Sequence, residues 1–198
     1  SLLSYNAALN GWQGVTGTNI PFASAGSNNA YMLFSRGDRS IAPAPGASPT
    51  PVLLRSKGAL FQGTLPAVTI PVAGQFAAVG NNYAAPIDFT GLTRTNLAQS
   101  FSVWDPKLPG AQGVGGWVTF SASTVPAWIP VPGGGSYTAG VPNTRIESGQ
   151  AFMISAASAG GSLTFTESSK TTGSRLVARP VGAGTAAGSL ITNLYLLS

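Results

Sequence analysis

Ala151-Phe152-Met153-Ile154-Ser155-Ala156 and Ser162-Leu163-Thr164-Phe165-Thr166-Glu167, separated by Ala157-Ser158-Ala159-Gly160-Gly161, set the fold class of the chain. In the second run, Leu163 and Phe165 alternate with Thr164 and Thr166. That period of two places apolar and hydroxyl side chains on opposite faces of a strand. The first run is apolar at successive positions, the pattern of a central strand buried on both faces. Its length and its bounding small residues favour a strand over a helix.

The same grammar extends in both directions. Tyr31–Ser35, Pro51–Arg55, Ala59–Gly63, Ala67–Val72, Gln75–Val79, Phe101–Trp104, Trp117–Ser121 and Ile191–Leu197 are further expected strands. They are rich in Val, Ile, Phe, Tyr, Trp and Thr, which suit a pleated, half-buried surface. Gly, Pro, Asn and Ser separate them at the spacing of a sandwich or barrel. Tyr31-Met32-Leu33-Phe34 reads as a second strand buried on both faces. One segment departs from the pattern: Asp88 or Thr90 can cap a short helix running through Leu92 to Ala98, because their side-chain oxygens accept orphan backbone N–H groups. Residues 42–50, 131–143 and 181–189 read as loops on their Pro and Gly content. The expected architecture is therefore all-β, a β-sandwich of jelly-roll or Ig-like type with at most one short helix near residues 90–98. Residues 1–198 are expected to form a single β-rich domain, a portion of a larger secreted protein.

Composition narrows the chemistry. Only 8% of the 198 residues are charged, against 43% hydrophobic. An ordinary globular chain carries about 25% charged residues. The polar surface must therefore come from Ser, Thr, Asn and Gln, as on many extracellular β proteins. A disordered chain would show low hydrophobicity and high net charge instead. A membrane helix needs about 20 unbroken apolar residues, and Gly, Pro, Ser or Thr interrupts every candidate, so no membrane span is expected. The ten basic residues, which leave a net charge of +5, are scattered. A nucleic-acid surface would cluster them among aromatics, so no nucleic-acid partner is expected.

There is no Cys and no His. The chain lacks a disulfide framework, the commonest general base and the commonest transition-metal ligand. Ser or Thr nucleophiles would need another base, and none of Lys57, Lys107 and Lys170 follows a Ser at the three-residue spacing of a Ser/Lys pair. Glycoside cleavage requires two carboxylates across a cleft. The five present are Asp38, Asp88, Asp105, Glu147 and Glu167; Asp88 and Asp105 read as turn acids. No dinucleotide or calcium-loop motif is present. No catalytic residue, cofactor or metal site is expected. Arg36-Gly37-Asp38 matches an integrin-read tripeptide, but the favoured reading is a tight turn closing the Tyr31–Ser35 strand, with Gly37 supplying positive φ. Trp12, Trp104, Trp117, Trp128 and Tyr137 are flat enough to stack on sugars, with core packing as the alternative. Among them Trp128, between Pro126 and Pro130, and Tyr137 stand in loop-like sequence and are the candidate ligand-stacking residues.

Several phrases, in order, resemble large secreted surface proteins of Bacteroidota exported by the type IX secretion system. Tyr31–Arg39 is similar to a Tyr-x-x-Phe-x-Arg-Gly-Asp-Arg phrase, and Leu53–Thr64 to a Leu-Arg-x-x-Gly-x-Leu-x-x-Gly-Thr phrase. Gly80–Phe89 resembles Gly-Asn-Pro-Tyr-x-x-Pro-Ile-Asp-Phe, with Asn82 standing where that family usually has Pro. Trp104-Asp105-Pro106, Ser148–Phe152, Leu163–Glu167 and Asn193–Leu197 follow. The resemblance implies an extracellular, cell-surface location and a β-rich module preceding a C-terminal sorting domain. It makes Arg36-Gly37-Asp38 part of a scaffold phrase and carries over no catalytic residues.

The functional expectation is a non-catalytic structural or adhesive module of a bacterial surface protein, with other surface proteins as partners. Two alternatives stand beside it. One is a filament subunit whose end segments, Ser1–Asn10 and Leu190–Ser198, pair with other copies of the chain. The other is a carbohydrate-binding module with a glycan partner.

Overall fold

The computed structural model describes residues 2–17, 28–35, 40, 60–110, 114–175 and 177. Arg36-Gly37-Asp38, the loops at 42–50 and 181–189, and the expected strands at 51–55 and 191–197 lie outside them.

The described chain is all-β, with twelve strands in four antiparallel sheets and two single turns of 3-10 helix. The strands are β1 (Leu2–Asn6), β2 (Gly11–Gly14), β3 (Tyr31–Leu33), β4 (Val68–Ile70), β5 (Phe76–Gly80), β6 (Ile87–Asp88), β7 (Thr93–Thr95), β8 (Ser100–Asp105), β9 (Gly116–Ser121), β10 (Arg145–Ile146), β11 (Ala151–Ser155) and β12 (Gly161–Thr164).

Two sheets make the body. The larger has the order β5-β11-β8-β9 and the smaller β4-β12-β7. These orders match position for position. β4 runs on into β5, β7 into β8, and β11 into β12. The two sheets are thus one antiparallel sheet bent across itself, the sandwich form in which strands pass a corner from one layer to the other. At the corner the ladder continues: Gly74 N–H donates to Ala156 O (2.8 Å), Ala156 N–H to Gln75 O (3.0 Å), Ala98 N–H to Ser155 O (2.9 Å) and Ala157 N–H to Asn96 O (2.8 Å). Asn96 (φ 53°) and Gly160 (φ 73°) take the left-handed conformation that the bend requires, and both types tolerate it. The Asn96 amide also donates to Ala159 O (3.0 Å).

The bend encloses the core. β8 alternates, with Phe101, Val103 and Asp105 inward and Ser100, Ser102 and Trp104 outward. Val118 and Phe120 from β9, Phe152 and Ile154 from β11, Ile70 from β4 and Leu163 from β12 complete one continuous cluster. Phe101 is its hub, with ring centroids 4.5 Å from Phe89 and 4.9 Å from Phe120.

Three expectations are corrected. Asp88 does cap a turn, its carboxylate accepting from Thr90 N (2.7 Å). However, the turn is a single 3-10 turn, Phe89–Gly91, and Leu92 is already extended (φ −75°, ψ 142°). No helix runs to Ala98, because β-branched Thr93 and Thr95 flank Arg94 in a strand paired with β12. Tyr31–Phe34 is not buried on both faces: Leu33 and Phe34 are 48% and 55% exposed. β3 pairs with β1 in a separate β2-β1-β3 sheet, outside the folded body. Leu60–Gly63 forms no strand. Gly63 is held by side chains, accepting from the Tyr83 hydroxyl and donating to Glu167. By contrast, Phe152, Met153 and Ile154 are all buried, so β11 is the central strand that its sequence specifies.

Candidate functional site

The outward faces of β8 and β9 carry the most distinctive surface. In register, Trp104 faces Trp117 and Ser102 faces Thr119. The indoles meet edge to face at 5.4 Å, and the two hydroxyls are 2.8 Å apart. The β1–β2 hairpin continues the row. Trp12 lies nearly parallel to Trp117 (21°) with centroids 6.4 Å apart. Tyr5, the cross-strand partner of Trp12, meets it edge-on at 5.4 Å and donates its hydroxyl hydrogen to Asn10 Oδ1. The result is a four-ring ladder, Tyr5–Trp12–Trp117–Trp104. Trp117 is 36% exposed, and the other three are partly buried. Burial raises the Tyr5 phenol above its ordinary value, so it remains a neutral hydrogen-bonding group.

Tyr5 also lines a groove of about 520 Å³ between this hairpin and the β4–β5 corner. Ser4, Asn6, Gln13, Thr69, Gln75 and Phe76 are among its walls, and none of the described residues lining it is charged. The Asn6 amide donates to Gln13 Oε1 (3.2 Å). The Gln75 amide oxygen is shut off from solvent without a hydrogen-bond partner. Such an acceptor has lost its water without replacement, a net cost to folding.

Trp12, Trp104 and Trp117, named from the sequence as flat enough to stack on sugars, thus come together, whereas the two loop candidates lie elsewhere. Tyr137 is 2% exposed within the core cluster. Its ring packs edge-on against Phe120 at 5.0 Å and its oxygen accepts from Gln150 Nε2 (2.8 Å). Neither face is open to a sugar. Trp128 (φ 65°) is half-buried, 5.7 Å from Phe89 and 6.1 Å from Phe101. It plugs one side of the core from its loop. Loop context suggested exposure for both, but loops that close a sandwich also bury anchors. The informative signal was alternation: in Phe101–Asp105 and Trp117–Phe120, each Trp falls opposite the inward apolar residues.

The carboxylates serve the scaffold. Asp105, fully buried, accepts from Lys107 N (2.9 Å), Ser136 N (2.6 Å) and Ser136 Oγ (3.0 Å). It thereby ties the 131–143 loop to the end of β8. Glu147 Oε1 is 3.0 Å from Arg145 Nε. Glu167 pairs with Lys170 at 2.6 Å. The Lys170 hydrogen bond and then the Gly63 N–H hold its carboxyl below the usual range. Lys170 also lies 4.3 Å over the Tyr83 ring. This pair lines a second cleft, of about 410 Å³, with no other charged residue among the described ones. Among the described residues no group of three His, Cys, Asp or Glu side chains could hold a metal ion. No helix among them is long and apolar enough to cross a membrane.

These features define an all-β protein built on one folded sheet, with a neutral aromatic surface on its outer face. No protein-family model matches the chain, and no curated protein or solved structure matches it.

Proposed function

We propose that the chain is a non-catalytic structural and adhesive module of an extracellular bacterial surface protein. The observation that carries this reading is how the acids among the described residues are used. Asp88, Asp105, Glu147 and Glu167 each bind a backbone amide or a cation of the scaffold. General acid–base work needs a carboxyl free to meet substrate. The uncharged outer face and the Bacteroidota-like phrases support the surface location and export by type IX secretion.

Filament growth by strand addition has less to favour it. A free sheet edge is its requirement, and each edge strand of the larger sheet is already bridged at one position. Asn29 bridges to Val79 on β5, and Val131 exchanges two hydrogen bonds with Thr119 on β9 (2.9 and 3.0 Å). Incubation of the purified chain with chromogenic glycoside, ester and peptide substrates should release no product above buffer. Turnover that survives repurification would sink the proposal.

A further inference from the structure

We propose that the groove between the β1–β2 hairpin and the β4–β5 corner, with the Tyr5–Trp12–Trp117–Trp104 ladder, binds a neutral polysaccharide. This rests on the adhesive reading and names its ligand class.

Three observations converge. First, the ladder presents aromatic surface outside the core: Trp117 is 36% exposed although the cluster beneath it is closed. Trp117, the exposed ring of the row, can take the C–H face of a pyranose, and Tyr5, Trp12 and Trp104 hold it in place at the end of the groove. Second, the groove that shares Tyr5 is walled by hydroxyl and amide side chains interspersed with apolar ones, and none of the described residues lining it is charged. Anionic glycans, nucleic acids and acidic peptides would find no countercharge there, whereas sugar hydroxyls both donate and accept. Third, Gln75 contributes an acceptor that the protein leaves unpaired. A donor hydroxyl seated in the groove, with a small rotation of that amide, would restore the missing hydrogen bond. Phe76, 42% exposed on the same wall, adds a further apolar contact. An enclosed pocket would suit a single sugar; an open groove continued by a ladder suits a chain.

The test is affinity electrophoresis of the intact chain in native gels containing hydroxyethylcellulose, galactomannan or neutral xylan, with alginate as the charged comparison. Retardation by at least one neutral polymer is expected. Trp117→Ala and, on the groove wall, Gln13→Ala should each weaken it about tenfold or more, and Gln13→Ala should do so with the melting midpoint unchanged. In the unaltered protein the same polymer should shift tryptophan fluorescence. Retardation by alginate alone would trace binding to the +5 net charge and overturn the proposal, as would no retardation by any neutral polymer. Either result leaves the non-catalytic reading standing. Cleavage of a bound polymer would do the reverse, keeping the surface and removing that reading.

Discussion

At the scale of single residues, buried polar groups carry more of the specificity than the few charges. Asp105 at the end of β8 and Tyr137 within the 131–143 loop both fix that loop, and each accepts hydrogen bonds from named donors. Burial pushes the Tyr137 phenol up to about 12. In the unfolded chain it would titrate near 10. Between those values the folded state holds a proton that the unfolded state has released. Its contribution is complete below pH 10 and fades as pH rises towards 12, by roughly 3 kcal/mol. Urea melts across pH 8–12 should show that alkaline decline, and Tyr137→Phe should flatten it. At neutral pH the same change strands the Gln150 amide and should cost about 1–3 kcal/mol. A parallel decline in the variant would place the titrating group elsewhere.

Elements are decided by pairing more than by propensity. Thr93-Arg94-Thr95 followed a well-capped turn and read as helix, yet β12 offered it an edge. β11 and β12 are neighbours in sequence joined by small residues, yet they do not pair with each other. They are two halves of one bent strand. The bend depends on Gly161, where a Cβ would stand 2.9 Å from Leu97 Cδ2, 3.0 Å from Ala156 Cβ and 3.3 Å from Ile70 O. The Leu97 methyl can turn aside, but Ala156 Cβ and the Ile70 carbonyl are fixed by the backbone. Gly161→Val is expected to cost roughly 1–3 kcal/mol by overpacking, read by thermal or urea denaturation. An unchanged melting midpoint would mean that the corner is looser than its contacts suggest.

For the whole molecule, stability rests on one apolar cluster unassisted by disulfides, since the chain has no Cys. Phe101 contacts Phe89, Phe120, Trp128 and Phe152, joining β8 to its sheet neighbours, to the 3-10 turn and to the Trp128 loop. Phe101→Ala should therefore lose about 3–5 kcal/mol in urea unfolding. A loss under 1 kcal/mol would show that the cluster is not one cooperative unit. Without any structure, the order of Val, Ile, Phe and Thr already determined that this is a β protein. It also placed β11 at the centre and made Asp88 and Asp105 turn acids, because period-two alternation and turn chemistry are local properties. Where those strands turn a corner was decided only in three dimensions. So was the burial of Tyr137 and the meeting of Tyr5 and Trp12 with Trp117 and Trp104 on one surface. Each of these depends on contacts between residues far apart along the chain, and local periodicity does not encode which distant strand becomes the neighbour.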